Sequence, residues 1–199
     1  QVAGMGAMMR DSFGLGACEV QGAGPDEAAE VHEDFDTMMR LFKQHFSEHD
    51  FLLGDRACLA DFALAGPSKA HFLHDPVPHA WLKADGNDEM LSDFVHRVFE
   101  GSEASKSYLA DDQIPETLIP IFEHAMSTYQ PFARASIQAA LRGEKTFTLD
   151  LGQGKFTARS MKRLDKARRH VADEIHALEL RGSVLEQQGL LPFYTDDWQ

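Results

Sequence analysis

The stretch Phe51–Asp75, FLLGDRACLADFALAGPSKAHFLHD, decides how the chain is read. Phe51, Leu52 and Leu53 form a short apolar run, and Gly54-Asp55-Arg56 reads as a turn. Cys58 and Asp61 then have the spacing of a capping box, in which the acid three residues into a helix reaches back to the N-cap N–H. Leu59, Phe62, Ala63, Gly66 and Ala70 follow at helical spacing. The small residues among them predict close helix–helix approach, and hence a buried helix. Asp75-Pro76 predicts its end, because a residue before proline avoids helical dihedrals.

These residues resemble the start of the central helix in the C-terminal domain of glutathione S-transferases. The matching positions are Phe51, Leu52, Gly54, Asp55, Arg56, Leu59, Ala60, Asp61, Phe62 and Leu64. The family pattern has Ser or Thr at the N-cap, whereas this chain has Cys58, and a thiol is a poorer acceptor than a hydroxyl. The resemblance implies a mainly α fold, a glutathione-transferase C-terminal-like helical bundle. Cys58 and Asp61 are expected to act as a structural capping motif.

Upstream of the stretch, Val31, Phe35, Met38, Phe42 and Phe46 mark one amphipathic helix from about Asp26 to His49, opened by Pro25-Asp26-Glu27. Its acidic face, with Glu30, Glu33, Asp34 and Asp36, reads most simply as solvated; docking of a basic partner is the other reading. Residues 1–24 hold six glycines and the Met5, Met8, Met9 patch, which predicts an irregular, partly mobile segment. The methionines suit either packing of a terminal helix or a soft apolar surface for a ligand.

Downstream, His71, His74 and Asp75 have a spacing that could hold a metal, but a third or fourth convergent ligand is not evident and structural roles are the simpler reading. Helical patterns are expected over Pro78–Lys83, Leu91–Phe99 and Pro115–Leu141, the last kinked or broken at Pro131 and stopped by Gly143. The periodicity then changes to two. Phe147, Leu149 and Leu151 alternate with Thr146, Thr148 and Asp150, and Gly152-Gln153-Gly154 precedes Lys155–Ala158. This predicts one added β-hairpin at about 145–159. Ordinary glutathione transferases lack such a hairpin; a bacterial-type subgroup is similar from about Phe51 to Leu191.

Ser160 is expected to cap a last long helix with the stripe Met161, Leu164, Val171, Ile175 and Leu178. Lys162, Arg163, Lys166, Arg168 and Arg169 crowd its first half. A solvated face, salt-bridged to the acidic helix near residue 30, is the simpler reading, and an anionic ligand or membrane surface the other. A short helix over Ser183–Gln188 and an aromatic tail, residues 192–199, follow. The tail's Phe193, Tyr194 and Trp198 point to docking on this domain or a neighbour. Together with the five cations they form the candidate partner surface.

Composition bounds the function. The chain has 199 residues, 43 % of them hydrophobic, which is enough for one sizeable core. The net charge of −13 argues against nucleic acid as a partner. The charge is uneven: residues 1–133 hold 8 Lys or Arg against 23 Asp or Glu, and residues 134–199 hold 11 against 9. No apolar run reaches the ~18–20 residues of a membrane span, so the expected place is in a soluble or membrane-associated complex, not across a bilayer. Cys18 and Cys58 are too few for a disulfide framework, which leaves a reducing compartment as the default. Gln1 in place of Met leaves processing open; were a transit peptide removed, a plastid or mitochondrion would stand beside the cytoplasm.

In the resembled family, the thiol-activating residue and most glutathione contacts lie in an N-terminal thioredoxin-like domain. That domain needs a βαβ unit and a cis-proline turn, which residues before Phe51 do not supply. The expectation is a non-catalytic binding or scaffold protein, a subunit of a larger assembly, with other protein subunits as partners and no cofactor. The alternative is the substrate-pocket part of a glutathione transferase whose catalytic domain is missing from this chain, with glutathione as its cosubstrate. A carrier of small hydrophobic ligands is a third reading. Ser, His and Asp are plentiful, but none sits in a nucleophile-elbow motif, and Gly152-Gln153-Gly154 lacks the lysine of a phosphate loop. Cys58 would be activated by a helix N-terminus and made inert by apolar packing, and the inert state is expected.

Overall fold

A computed structural model of the chain describes residues 2–101, 107–111, 113–151, 154–178 and 183–195, without the side chains of Val2, Ala3, Arg10 and Phe13. The fold is mainly helical with a small two-stranded antiparallel sheet. No helix among the described residues is long and apolar enough to cross a membrane. The chain divides into two compact units, residues 37–121 and residues 1–36 with 122–199. The boundaries fall inside helices α3 (Ala28–Glu48) and α7 (Ile119–Ser127).

In the unit of residues 37–121, the second half of α3 is followed by α4 (Leu59–Pro67), α5 (Pro76–Ala84) and α6 (Asp88–Glu100). The amphipathic period places Met39, Leu41 and Phe42 of α3 and Leu91, Phe94, Val95 and Val98 of α6 in the core. Phe46 stacks on Phe94 with ring centroids 4.3 Å apart. Phe51 is fully buried, and its N–H donates to the Gly54 carbonyl at 2.8 Å. Gly54 closes this turn at φ +109°, a conformation that favours glycine, with the Leu109 side chain against its open face.

Helix α4 departs from expectation. Its apolar stripe, predicted to be buried, is open: Leu59 is 85 % and Phe62 48 % exposed, and Ala60, Ala63 and Ala70 are exposed with them. Only Asp61 and Ala65 of α4 are buried. The helix turns its polar cap residue inward, where Asp61 accepts from two backbone donors, and the apolar stripe lies on the other side. α4 ends at Pro67, runs into a wider π turn (Ser68–Phe72), and Asp75 N-caps α5 in extended conformation, as the Asp-Pro pair predicts.

In the other unit, residues 2–20 are helical rather than irregular: α1 (Val2–Met9), a π segment (Arg10–Leu15) and α2 (Gly16–Val20). The glycines at 4, 6 and 14 leave open space around them and do not break the backbone pattern. The helical period over 115–141 breaks one turn before Pro131, at Thr128, so that Pro131 sits in the first turn of α8 (Tyr129–Leu141), where its missing N–H costs nothing. Gly143 follows α8 at φ +78°.

The hairpin is as predicted. β1 (Thr146–Asp150) pairs with β2 (Lys155–Arg159) in the register Phe147 opposite Ala158 and Leu149 opposite Phe156. Phe147 and Ala158 are buried with Ala139 of α8, and Phe132 meets Phe147 edge to face. Gly152 and Gln153 of its turn lie outside the described residues. Gly154 is tight against Glu30: a Cβ there would lie 3.0 Å from Glu30 Oε1.

α9 (Lys162–His176) starts at Met161 rather than Ser160. Ser160 Oγ donates to the Glu144 carbonyl, and the Met161 N–H donates to Ser136 Oγ at 3.0 Å. Its expected stripe is half right, since Leu164 packs against Ala133, Ile137 and Phe193 while Val171 and Leu178 are exposed. Ser183 caps α10 (Val184–Gln187), accepting from the Glu186 N–H, and α11 (Leu191–Thr195) ends the described chain.

Candidate functional site

The capping motif is built as its spacing implies. The Cys58 N–H donates to Asp61 Oδ2 at 2.8 Å, and the Leu52 N–H donates to Asp61 Oδ1 at 2.8 Å. One carboxylate thus ties the start of α4 to the apolar strap before it. Asp61 is fully buried. The return half of the box, Cys58 Sγ on the Asp61 N–H, is the weaker half because sulfur is a weak acceptor. Burial raises the thiol pKa of Cys58, and the adjoining Asp61 carboxylate raises it further. The side chain is therefore held as a neutral thiol, a structural cap and a poor nucleophile.

Sequence reading missed the partner of this strap. His45 of α3 is fully buried; its Nε2 lies 3.1 Å from the Phe51 carbonyl and its Nδ1 2.9 Å from Thr117 Oγ1. The available signal was its position on α3, three residues after Phe42 on the core face.

His71 and His74 turn to different partners. His71 Nδ1 lies 3.0 Å from Asp75 Oδ2, and His74 Nδ1 takes the Lys69 carbonyl. All three side chains are exposed, and the bonds they make are local ties at the end of the π turn.

The candidate partner surface divides. Lys162, Arg163, Lys166 and Arg169 are exposed on α9. Arg168 is buried: its Nη1 donates to the Tyr194 carbonyl at 2.8 Å, and its Nη2 donates to Asp165 Oδ1 at 3.2 Å. Phe193 is buried against Ala133 and Ile137, and Tyr194 packs beside it with burial raising its pKa. The tail docks on this chain, and Arg168, Phe193 and Tyr194 are internal to it. Trp198 lies outside the described residues. Asp165, not the acidic helix near residue 30, takes Arg168 and also Arg169, at 2.7 Å.

Two of the remaining cations, Lys162 and Arg163, gather with two at the hairpin. Lys145, Arg159, Lys162 and Arg163 line an open groove of about 1270 Å³, with Thr146, Thr157 and Ser160 between them. Glu144 on its wall is neutralised by Arg142 through two bonds of 2.9 and 2.8 Å, which leaves Glu19 as the opposing charge. None of these four cations, nor Lys166, is paired with a carboxylate among the described residues.

A smaller cleft of about 200 Å³ is walled by Val31, Phe132, Leu151 and Phe156, with Glu30 and Asp34 at its edge. Asp34 Oδ1 and His124 Nε2 lie 2.8 Å apart but off hydrogen-bond alignment, and Glu30 Oε2 is buried with no hydrogen-bond partner. Thr128 Oγ1, the hydroxyl of this cleft, donates to the His124 carbonyl at 2.9 Å and is not offered to the imidazole ring. The Asp–His pair therefore has no nucleophile in line with it among the described residues.

Comparison with protein-family models, with curated proteins and with solved structures finds no match to the chain.

Proposed function

We propose that the chain is a glutathione-transferase C-terminal-like binding or scaffold protein that joins a larger protein assembly through the basic groove of the hairpin and α9. The observation that carries this reading is the set of four cations, Lys145, Arg159, Lys162 and Arg163, that line one groove of a chain of net charge −13 and are unpaired with any carboxylate among the described residues. Carboxylates are abundant in the chain, yet these four are not neutralised by any among the described residues. Uncompensated charge at one place steers an oppositely charged partner and sets its orientation. The groove, lined by Lys145, Arg159, Lys162 and Arg163 with Thr146, Thr157 and Ser160 between them, suits an acidic protein segment. The acidic remainder of the chain would repel a long polyanion.

The family resemblance enters here as a proposal. It rests on Phe51–Leu64, whose Asp61 bonds reproduce the geometry that the capping spacing implies. Cys58, neutral and capped, suits a binding role better than a thiol chemistry.

The test is native-mass and pull-down analysis of the endogenous protein at low and high salt. The proposal expects a large complex that dissociates with salt and is lost in the variant Lys145→Glu/Arg159→Glu/Lys162→Glu. A free 22.2 kDa species retained on immobilised glutathione would replace it with the transferase-fragment reading.

A further inference from the structure

We infer that the cleft walled by the start of α3, α8 and the hairpin binds a small primary amine with an apolar or aromatic body. Glu30 and Asp34 stand one helical turn apart on α3 and both line the cleft, and neither Lys nor Arg lines it. Val31, Phe132, Leu151 and Phe156 supply its apolar walls. Its neutral polar side chains are already placed: Thr128 Oγ1 donates to the His124 carbonyl and Gln21 Nε2 to the Ala17 carbonyl. Glu30 is the residue that points to an occupant. Its Oε2 is buried, and the residue has neither a hydrogen bond nor an ion pair from its side chain among the described residues. Gly154 packs directly on this carboxylate, since a Cβ there would lie 3.0 Å from Oε1 and 3.2 Å from Cγ. The hairpin turn thus admits the Glu30 side chain where a larger residue would displace it. A carboxylate stripped of water with no partner is costly, and the chain bears that cost without using the group in its own hydrogen bonding.

The donor set selects the class of ligand. Asp34 Oδ1 faces His124 Nε2 at 2.8 Å, and its other oxygen makes no bond among the described residues. An ammonium group carries one positive charge and three N–H donors, enough to serve Glu30 Oε2 and that second oxygen together. A metal ion is a poorer occupant, because the ligand atoms of Glu30, Asp34 and His124 do not converge within 4.8 Å of one another. The apolar walls require a body behind the charged head, and Phe132 and Phe156 suit a ring. The cleft, about 200 Å³, is below the ~300 Å³ at which sites for drug-sized ligands begin, so the body is small. The cleft shares no charged residue with the basic groove and attracts the opposite charge, so the inference stands or falls independently of that groove.

The experiment is calorimetric titration of the whole chain with 2-phenylethylamine at neutral pH and about 150 mM salt. One saturable site per chain is expected. Ethylamine has the head without the body, and 2-phenylethanol the body without the charge; each should bind at least about tenfold more weakly. Glu30→Gln should weaken 2-phenylethylamine binding by at least about the same factor. The ligand-free variant should unfold at or above the wild-type midpoint, because it removes an uncompensated charge from a buried place. Gly154→Ala displaces the Glu30 carboxylate and should weaken binding as well, whereas Lys162→Ala, in the basic groove, should leave it unchanged. Absence of saturable binding by benzylamine, 2-phenylethylamine and 3-phenylpropylamine up to about 10 mM overturns the inference. So does equal binding by the wild type and Glu30→Gln. A Glu30→Gln chain that unfolds below the wild-type midpoint also overturns it, since the carboxylate would then serve the fold itself.

Discussion

His45 Nε2 lies 3.1 Å from the carbonyl oxygen of Phe51, and that bond fixes the tautomer of the imidazole, whose neutral state burial then favours. A carbonyl only accepts, so Nε2 carries the proton; Nδ1 then accepts from the Thr117 hydroxyl at 2.9 Å. The ring is neutral. Burial is the main cause of a pKa below the ordinary 6.5, the Phe51 bond opposes it, and His49 adds to it. Asp61 and Glu48 pull the other way. A group with a depressed folded-state pKa binds its proton more readily when unfolded. Its contribution is therefore present above about 6.5 and lost as pH falls below it. Urea unfolding at pH 7.5, 6.5 and 5.5 should show declining stability, and His45→Gln should flatten that decline.

Asp61 satisfies two backbone donors with one carboxylate, so its loss strands both inside the protein. Asp61→Ala should cost about 3 kcal/mol, from charge-assisted bonds worth roughly 1.5–3 kcal/mol each and partly replaced by water. Asp61→Asn, which keeps one acceptor oxygen, should cost less. Chemical denaturation of the two variants gives the order; equal costs would mean that a neutral acceptor oxygen contributes nothing without the charge.

Cys58 holds the N-cap with the wrong atom. Cys58→Ser should raise stability by about 0.5–1 kcal/mol, because a hydroxyl is the better acceptor for the Asp61 N–H. In the native wild-type protein, a thiol reagent should modify exposed Cys18 quickly and Cys58 slowly. Equal rates would contradict the raised pKa of Cys58.

Arg168 joins α9 to the last described helix. Arg168→Leu removes the bond to the Tyr194 carbonyl but leaves Asp165 with Arg169. The expected cost is about 2 kcal/mol, with faster proteolysis in the segment around Phe193. Arg169→Leu, at an exposed position, should leave the cleavage rate unchanged.

The sequence carried the strongest local signals through to the structure. Phe147 and Leu149 alternate on one strand and Phe156 and Ala158 on the other, and an extended strand puts alternate residues on one face. Asp61 lies at the one spacing that lets a carboxylate reach an N-cap. Burial was harder to read. An apolar stripe says that a face is suited to packing, not that something covers it, and Leu59 and Phe62 are uncovered. A cation run gives no sign of which member is enclosed, yet Arg168 falls four residues after Leu164, on the packed side. His45 with Thr117, and Asp34 with His124, meet across separations that no local pattern encodes. The glycines of residues 1–24 predicted irregular backbone because helix propensity counts them singly, and the alanines and methionines between them outweighed it.

The two units are made from the chain in different ways. One is a single run, residues 37–121, while the other joins the first 36 residues to the last 78. During synthesis the continuous unit has all its parts as soon as residue 121 is clear of the ribosome. The first helices must wait until the hairpin and α9 have emerged before their own unit can close. A nascent chain halted after residue 121 would thus hold one finished core and an N-terminal stretch still open to chaperones. The order of translation, rather than the final structure, decides which surfaces are exposed longest.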